Sequence, residues 1–277
     1  MICFRYNPGP LRKGNPIIGE PEEAKYGLTN SQIQEAYREA QKRGAKRFGL
    51  HTMVVSNTLE EEALIENGKM LCDLGAKIAR ELGIKFDFFN LGGGVGTPYK
   101  PEQMPVDIER VAKGIQEAYR MAGFGETQSP RIVMECGRAI TGPHGFLATE
   151  VLHVRRKYKN FVGVDATMAN LMRPGMYGAY HHLTVLGKED QNKSVIYDVT
   201  GSLCENNDKF AVNRALPSIE RGDTIVIHNG GAHGHAMGFN YNAKLRCAEF
   251  LVDANGEIKK IRRAETMQDY FDTIVRP

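Results

Sequence analysis

The chain has 277 residues, of which 42% are hydrophobic and 25% charged, and its formal net charge is +3 at pH 7. This length and composition are typical of a globular protein whose core fills one large domain or two ordinary ones. A balance of 36 basic and 33 acidic residues argues against nucleic acid or a membrane surface as the partner, and no apolar run reaches the length of a membrane span.

Cysteine usage and the N-terminus predict a cytoplasmic protein. The cysteines are odd in number and widely scattered, and no two form a C-x-x-C pair, so a disulfide framework is not expected. The N-terminus lacks the basic stretch and apolar core of a secretory signal. Reduced thiols are therefore expected at Cys3, Cys72, Cys136, Cys204 and Cys247.

The first half of the sequence alternates strand and helix patterns. Strands are predicted at 2–6, 48–55, 86–91 and 131–135. Between them, a capping box at Ser31–Gln34 predicts a helix to about Arg43, a second at Thr58–Glu61 predicts a helix to about Leu82, and a third helix is predicted at 107–121. This alternation implies parallel strands joined by crossover helices. A strand so close to residue 1 suggests that the chain begins in the middle of a larger domain.

After about residue 150 the pattern changes to short β-rich runs between Gly, Asn and Asp turns. This pattern is typical of an antiparallel sandwich or barrel. A short amphipathic helix is predicted near 265–274. The predicted strands are 151–155, 161–164, 194–199, 224–228 and 246–252.

A glycine-rich stretch, 92–96, follows the apolar strand at 86–91. Glycines at such a point free backbone N–H groups to form an anion-binding concavity, for which phosphate is the usual ligand. Tyr99 stands where the dinucleotide fingerprint needs its last glycine, and no Gly-Lys-Ser/Thr follows, so neither a dinucleotide site nor a nucleotide P-loop is predicted. A phosphate-carrying ligand of another kind is the working hypothesis, and a tight strand-to-helix turn is the structural alternative.

Two other strand ends carry polar residues that are expected to meet the glycine stretch, because ligands gather at the carboxyl ends of parallel strands. They are 51–56 and Glu135–Arg138. The carboxylate and guanidinium of the second stretch could hold a ring nitrogen, a phosphate or a substrate carboxylate. A plain structural ion pair is the alternative.

The second half has its own candidates. Arg173 and Tyr177 place a forked donor and a phenol four residues apart, and Cys204 and Glu205 place a thiol beside a carboxylate in a polar turn. An inert buried cysteine is the alternative for the thiol. Three histidines could be metal ligands, but they lack zinc spacing, so no metal is predicted. They are His228, His233 and His235.

Taken in order, these stretches resemble the fold-type III PLP-dependent decarboxylases, and most closely the diaminopimelate decarboxylases. The similarity runs from end to end and depends on the order of eight motifs, each weak alone. The motifs are Arg5-Tyr6-Asn7-Pro8, Lys25-Tyr26-Gly27, Gly49-Leu50-His51, Asn90-Leu91-Gly92-Gly93-Gly94-Val95-Gly96, Glu135-Cys136-Gly137-Arg138, 165–177, Cys204-Glu205-Asn206-Asn207-Asp208, and Gly231-Ala232-His233 through Tyr241-Asn242.

The resemblance implies the C-terminal half of a PLP-binding (β/α)8 TIM barrel at 1–148, followed by a β-rich Greek-key β-barrel or sandwich domain at 149–277. Members of this family work as dimers with sites at the subunit interface, and carry the Schiff-base lysine on the first barrel strand. This chain is expected to begin at about the fifth strand, and Lys25 falls in a different family pattern. The expected partner is therefore a second copy, or a chain that supplies the missing barrel half.

The resemblance also assigns roles to particular residues. Cys204, reaching in from the partner subunit, is expected to donate the proton after CO2 leaves. The residues expected to contact the cofactor, pyridoxal 5'-phosphate (PLP), are Met53, Ser56, Gly92, Gly93, Gly94, Glu135, Gly137, Arg138 and His233. Those expected to contact the amino-acid substrate are Arg138, Arg173, Tyr177, Glu205 and His233.

Three positions depart from the family pattern. Met53 stands where a histidine usually stacks on the cofactor ring, which implies a softer apolar lid. His233 replaces a tyrosine; it can still donate to phosphate but titrates near neutrality. Cys136 stands where proline is usual. These changes put the identity of the substrate in doubt more than the fold.

The activity implied is PLP-dependent decarboxylation of an amino acid, with the conversion of meso-diaminopimelate to lysine, in lysine biosynthesis, as the leading interpretation. Two alternatives stay open. One is a pseudoenzyme that binds PLP or phosphate noncovalently. The other is a sister decarboxylase acting on carboxynorspermidine or a related amino acid.

Overall fold

The computed structural model describes residues 1–12, 19–126 and 129–275. The chain forms two compact units, which are described separately. The first contains Met1–Pro98 and Glu102–Ile140, and the second contains Tyr99–Pro101 and the chain from Thr141 onward.

The first unit contains a parallel sheet. Its strands lie in the order in which they occur in the chain, and every neighbouring pair is parallel. The predicted alternation of strands and helices is confirmed, although the second and fourth strands end earlier than predicted because the chain there turns toward the glycine loop. The strands are β1 (Ile2–Tyr6), β2 (Phe48–Thr52), β3 (Phe86–Asn90) and β4 (Arg131–Val133).

The helices of the first unit are α1 (Asn30–Lys42), α2 (Glu61–Leu82), α3 (Ile108–Met121) and the short α4 (Gly137–Thr141). The three long helices bury their apolar sides in the same core as this sheet, with α1 and α2 against the strands and α3 against α2. The apolar residues recur at helical spacing, so one side of each long helix is buried, as the sequence pattern predicts. The largest fully buried side chains of this core are Ile33, Tyr37, Leu50, Leu71, Ile78, Phe89 and Leu91.

Both predicted capping boxes are corrected by the structure. In α1 the box is made by Thr29, whose hydroxyl accepts from the Gln32 N–H while the Gln32 side chain accepts from the Thr29 N–H. The predicted box at Ser31 therefore lies two residues too late. In α2 the N-cap is Glu60, which makes no side-chain capping bond, and the Thr58 hydroxyl instead accepts from the Glu60 N–H at 3.1 Å.

The second unit contains a mixed sheet whose strands are β5 (Leu147–Arg156), β6 (Asn160–Val164), β7 (Leu183–Val185), β8 (Val195–Thr200), β9 (Lys209–Leu216) and β10 (Thr224–Ile227). Their order in the sheet is β7-β10-β5-β6-β8-β9. The sequence predicts antiparallel pairing, and the structure corrects this for one pair, because β6 and β8 are parallel. The predictions also missed two strands of this sheet, β7 and β9; β7 has three residues and β9 is interrupted by Asn213 at φ +50°.

Two short helices and a hairpin complete the second unit. The helix α5 (Arg173–Tyr177) lies between β6 and β7, and α6 (Met267–Phe271) is the predicted final helix in shorter form. Strands β11 (Glu249–Val252) and β12 (Ile258–Arg262) pair antiparallel. Among the described residues, no helix has both the length and the apolar character needed to cross a membrane.

Candidate functional site

The glycine loop begins directly after β3 and adopts a conformation that requires glycine. Gly92 has φ +70° and Gly94 has φ +106°, values that side-chain-bearing residues rarely adopt. A Cβ atom at Gly94 would lie 2.6 Å from the Val55 carbonyl oxygen, so the chain after β2 also leaves no room for a side chain. The strand end, the loop and the chain after β2 therefore meet at one edge of the parallel sheet.

The predicted phosphate loop and the predicted Glu135–Arg138 element lie against each other. The Glu135 N–H donates to the Gly92 carbonyl at 2.8 Å, and the Leu91 N–H donates to the Val133 carbonyl at 2.9 Å. A Cβ at Gly93 would lie 2.7 Å from the Glu135 carbonyl oxygen. Only a glycine at that position allows the two loops to approach this closely.

The donors of the glycine loop fit an anionic group. The Gly92 N–H donates to the Asn90 side-chain oxygen at 2.9 Å, and the Gly93 N–H points at the Met53 sulfur at 3.0 Å. The Gly94 N–H makes no hydrogen bond to any described residue. Because a thioether is a weak acceptor, a phosphate oxygen could take its place on Gly93 and also accept from Gly94. Met53, which directly follows β2, therefore lies against the glycine loop.

Glu135 places a negative charge at this edge. Its Oε1 accepts from the Asn90 side-chain amide at 2.7 Å and lies 3.8 Å from the His51 Nε2. That nitrogen is buried and has no hydrogen-bond partner among the described residues. Burial lowers the pKa of His51, and the nearby Glu135 only partly opposes this. The His51 imidazole therefore favours its neutral form beside the Glu135 carboxylate.

The remaining predicted cofactor residues of the first unit lie in the same loops. Ser56 is buried and closely follows Val55. Gly137 has open space where its Cβ would stand. Arg138 is half-buried, and its carbonyl accepts from the Thr97 hydroxyl at 3.2 Å. The predicted cofactor residues of the first unit therefore lie on the segments that follow β2, β3 and β4, at the carboxyl edge of the parallel sheet.

In the second unit, α5 separates its two predicted substrate residues. Arg173 is 2% exposed, with its guanidinium 4.6 Å from the Tyr99 ring centroid and its Nη1 2.8 Å from the His181 Nε2. Tyr177 is 38% exposed at the other end of the helix. The arginine is therefore anchored inside the unit, and the phenol faces outward.

The contact between Arg173 and His181 fixes the state of the imidazole. A guanidinium has only donors, so the His181 Nε2 must accept. The Nδ1 then carries the proton and donates to the His228 carbonyl at 2.8 Å. His181 is fully buried, and its ring meets the Tyr99 ring edge-on with centroids 4.9 Å apart. A neutral histidine thus holds Arg173 in place.

Cys204 lies exposed on the loop between β8 and β9. The Asn242 side-chain amide donates to the Cys204 sulfur at 3.1 Å. Tyr241 lies beside the same thiol, whose charge is the main cause of a raised Tyr241 pKa. Glu205 is half-buried, and its Oε1 accepts from the Asn207 N–H at 3.1 Å. The thiol and carboxylate therefore sit together on one loop between β8 and β9.

His233 is exposed and has φ +57°, a left-handed conformation that is uncommon for histidine. It follows Gly231, where a Cβ would collide with the Thr141 carbonyl oxygen. His228 lies in a different setting: its Nε2 contacts the Thr184 hydroxyl at 2.9 Å, and burial lowers its pKa. Within the described ranges, no group of three or more His, Cys, Asp or Glu could hold a metal ion.

Sequence reasoning missed four residues that organise these sites. Asn90, Asp208 and Asn242 belong to motifs that were recognised, so the motifs could have drawn attention to them. The importance of His181 depends on its contact with Arg173, eight residues earlier, for which periodicity and spacing provide no signal.

A model of a known protein family matches the part of the chain that contains most of these residues. The model for the C-terminal sheet domain of pyridoxal-dependent decarboxylases matches residues 52–231. The chain belongs to this family, and the resemblance inferred from the eight motifs is confirmed. Membership implies PLP as the cofactor, and the backbone N–H donors of the glycine loop at the end of β3 suit its phosphate.

The relatives are similar over nearly the whole chain. Protein TabA of Pseudomonas amygdali pv. tabaci is 44% identical over 99% of this chain and 64% of its own length. The diaminopimelate decarboxylase of Methanothermobacter thermautotrophicus is 36% identical over 97% of this chain and 63% of its own. The chain thus spans a little under two thirds of the length of these curated relatives.

Solved structures of diaminopimelate decarboxylases share the fold. The M. jannaschii enzyme in co-complex with L-lysine has a TM-score of 0.89 and 29% identity, covering 99% of this chain and 63% of that chain. The Helicobacter pylori enzyme complexed with L-lysine has a TM-score of 0.81 and 29% identity, covering 98% of this chain and 66% of that chain. The α/β fold of this chain is therefore that of diaminopimelate decarboxylases.

Proposed function

We propose that this chain contributes to a PLP-dependent amino-acid decarboxylase, with meso-diaminopimelate as the leading substrate and L-lysine as the product. The observation that carries the proposal is the junction of the glycine loop with Glu135–Arg138 at the carboxyl edge of a parallel sheet, in a chain that belongs to this family. Bound PLP supplies an electron sink for the electrons left by departing CO2.

The first unit would hold the cofactor through backbone and charge. The N–H groups of Gly93 and Gly94, with Ser56, Gly137 and Arg138 nearby, would bind the phosphate. Glu135 would place its carboxylate beside the pyridine nitrogen, held there by the Asn90 amide. Met53 would leave its contact with Gly93 and cover the ring as an apolar lid.

The second unit would hold the substrate and deliver the proton. Arg173, Tyr177 and His233 would grip carboxylate and phosphate oxygens, while Glu205 would pair with the amino group at the far end of the substrate. Cys204 would donate its thiol proton to the carbon that loses CO2. The exposure of Cys204 on its loop suits a group that serves the site of a partner subunit.

The domain organisation follows from the same proposal. We infer that 1–148 forms the C-terminal half of a (β/α)8 barrel and that 149–277 forms a β-rich domain. The Schiff-base lysine and the other barrel strands would come from outside these 277 residues, and the active form would be a dimer or an assembly with a complementing chain. The assembly is proposed to work in the cytoplasm, in lysine biosynthesis.

The identity of the substrate has a specific alternative. Protein TabA, at 44% identity, carries a different name from the diaminopimelate decarboxylases at 36% and below. Together with Met53 and His233 at unusual positions, this similarity favours a sister activity on a related amino acid, such as carboxynorspermidine. Competition between the two substrates would separate these proposals, because Arg173 and Glu205 should favour a zwitterionic far end.

The first test is an absorbance spectrum of the purified chain with added PLP, before and after borohydride, followed by mass analysis. We expect PLP binding that Gly93→Ala weakens, and no covalent adduct. CO2 release from meso-diaminopimelate is expected when a polypeptide with the lysine-bearing barrel half is added. A reduced pyridoxyl adduct on this chain would overturn the inference about the lysine. A complete assembly that leaves meso-diaminopimelate intact would overturn the substrate.

A further inference from the structure

A buried carboxylate closes the loop that carries Cys204. Asp208 is 3% exposed, and each of its two oxygens accepts a backbone N–H. Oδ2 accepts from Leu203 at 2.8 Å, and Oδ1 accepts from Met168 at 2.7 Å. The first bond closes the loop over Cys204, and the second ties the loop to the segment that leads into α5.

The backbone of Asp208 adds two further bonds to the same loop. Its carbonyl accepts from the Gly201 N–H at 2.9 Å, and its N–H donates to the Glu205 carbonyl at 3.0 Å. A Cβ at Gly201 would lie 2.3 Å from the Asp208 Oδ2. The φ of Gly201 is outside the left-handed region, so the approach of this carboxylate is what requires glycine there.

The loop also contacts α5 directly. A Cβ at Gly175, in the middle of that helix, would lie 2.5 Å from the Asn207 carbonyl oxygen. The helix that presents Tyr177 and the loop that presents Cys204 are therefore joined at two points, through Gly175 and through Met168. Both joints depend on the position of Asp208.

The chemistry of Asp208 makes this arrangement hard to replace. Burial raises the pKa of its carboxyl, and the hydrogen bonds from Leu203 and Met168 oppose that rise. The N–H groups of Leu203 and Met168 donate to different oxygens of Asp208, so both terminal atoms of the side chain must be acceptors. A carboxylate has two acceptor oxygens, whereas a carboxamide would turn an N–H toward one of the donors.

We propose that Asp208 is a positioning residue for Cys204, which holds the thiol at a fixed place relative to Asn242 and α5. The proposal rests on the proposed function, in which Cys204 donates the proton. Asp208 itself does not touch the reacting atoms in this scheme. It acts through the loop, by keeping the sulfur within reach of the Asn242 amide.

The test uses Asp208→Asn with Asp198→Asn as the matched control. Asp198 is also a buried carboxylate of the second unit, 1% exposed, and it accepts from the Asn213 N–H at 2.8 Å. The Asn213 bond and the pairing with Lys159 lie outside the Cys204 loop, and a second ion pair, 3.6 Å from the Asp198 Oδ2 to the Lys209 Nζ, involves the first side chain of β9. A general loss of stability should therefore affect both variants, and a positional effect should affect only Asp208→Asn.

The readout is the rate of alkylation of Cys204 by iodoacetamide, followed by mass analysis of peptides, which needs neither cofactor nor substrate. The Asn242 amide donates to this sulfur at 3.1 Å, and the thiolate is the form of a cysteine that reacts with iodoacetamide. Loss of that bond in Asp208→Asn should therefore slow the rate by about threefold or more, as expected for one hydrogen bond. Cys72, which is fully buried, should stay unmodified and so report that the fold is intact.

Two further variants keep the test decisive. Asn242→Gly removes the amide without strain, because Asn242 has φ +54°. It should slow alkylation equally, and combining it with Asp208→Asn should add nothing. If Asp208→Asn does not fold, Gly201→Ala provides a second variant. It keeps the Asp208 carboxylate but pushes it out of place, and should slow the alkylation of Cys204 in the same way. An unchanged Cys204 rate in the folded variants, or an equal slowing in Asp198→Asn, would overturn the proposal.

The activity of the complete assembly separates this proposal from the proposed function. If Cys204 is the proton donor, Cys204→Ala should remove most of kcat, and Asp208→Asn should lower kcat more than it changes KM. Full activity of Cys204→Ala would refute the catalytic role of the thiol. The alkylation result would still decide whether Asp208 positions it.

Discussion

The hydrogen bond between Arg173 and His181 shows how one side chain, the Arg173 guanidinium, sets which nitrogen of the His181 ring carries the proton. Because the guanidinium only donates, this bond exists only while His181 is neutral and protonated on Nδ1. The Tyr99 ring lies against both side chains. Removal of the His181 acceptor should therefore remove one bond that holds the Arg173 guanidinium and loosen it, while the helix around it remains.

Two amide replacements separate the two bonds of His181. His181→Gln keeps an acceptor close to the Nε2 position, toward Arg173, whereas His181→Asn keeps a donor close to the Nδ1 position, toward the His228 carbonyl. We expect phenylglyoxal to modify Arg173 about tenfold faster in His181→Asn than in His181→Gln, as one lost hydrogen bond to a charged group predicts. Equal melting temperatures are the control, and equal modification rates would contradict the assignment.

Glu265 shows a second effect at the residue scale, on the dependence of stability on pH. Its carboxylate accepts from the Arg246 Nε at 2.6 Å, from the Arg246 N–H at 2.8 Å and from the Asn240 amide at 2.8 Å. The hydrogen bonds from Arg246 are the main cause of a Glu265 pKa lowered to about 2. They close the loop that carries Asn242.

The sign of the pH effect follows from that shift. An unfolded glutamate has a pKa of about 4.3, so the stabilisation from Glu265 is present above that pH and is lost as the pH falls through about 2. Glu265→Gln should therefore melt below the wild type near neutral pH, and the gap should close at about pH 2. A gap that is the same at both pH values would show that charge is not its cause.

At the scale of elements, the start of α1 depends on one side chain. Thr29 and Gln32 form the reciprocal capping bonds, and Ser31 is an exposed residue within the first turn. Thr29→Ala should lower the free energy of unfolding by about 1 kcal/mol, because it leaves a helix N–H unsatisfied. Denaturant unfolding followed by circular dichroism measures this.

Ser31→Ala is the matched control, since it removes a hydroxyl from the position where the sequence predicts the cap and, with it, only an exposed contact at 3.3 Å to the Thr29 hydroxyl. It should change the free energy of unfolding by no more than a few tenths of a kcal/mol, in line with ordinary exposed substitutions. If Ser31→Ala were the more damaging change, the cap assigned to Thr29 would be wrong.

At the scale of the whole molecule, stability comes from two separate apolar clusters, one in each unit. Leu71 is fully buried in the first, and Leu183 is 1% exposed in the second. Leu71→Ala and Leu183→Ala should each lower stability by about 2–5 kcal/mol, through lost burial and the cavity left behind. Hydrogen exchange of backbone amides in the strands around each site, which should become faster, would measure this loss of stability.

Leu186, one residue beyond the end of β7 and 62% exposed, is the control for both changes. Leu186→Ala should lower stability by less than about 0.5 kcal/mol. A similar loss at Leu186 and Leu183 would mean that burial does not decide the cost at these sites. The comparison therefore tests the assignment of the second core directly.

Local patterns were enough to predict the parallel α/β arrangement, the C-terminal ends of the long helices and the glycine loop. Hydrophobic periodicity and Gly punctuation act within a few residues, so they can be read along the chain. The same holds for Gly92–Gly94 and Glu135–Arg138, whose placement at strand ends follows from parallel topology. The cofactor and the family were predicted from the order of such motifs.

Contacts between distant residues were decided only by the tertiary structure. The parallel pairing of β6 with β8, the burial of Arg173 against His181 and the closure of the Cys204 loop by Asp208 all join segments with no shared local pattern. Their energies depend on burial and on which donor meets which acceptor, and both are set only when the chain packs. By itself the sequence determined the elements and the motifs, and folding determined which side chains hold them in place.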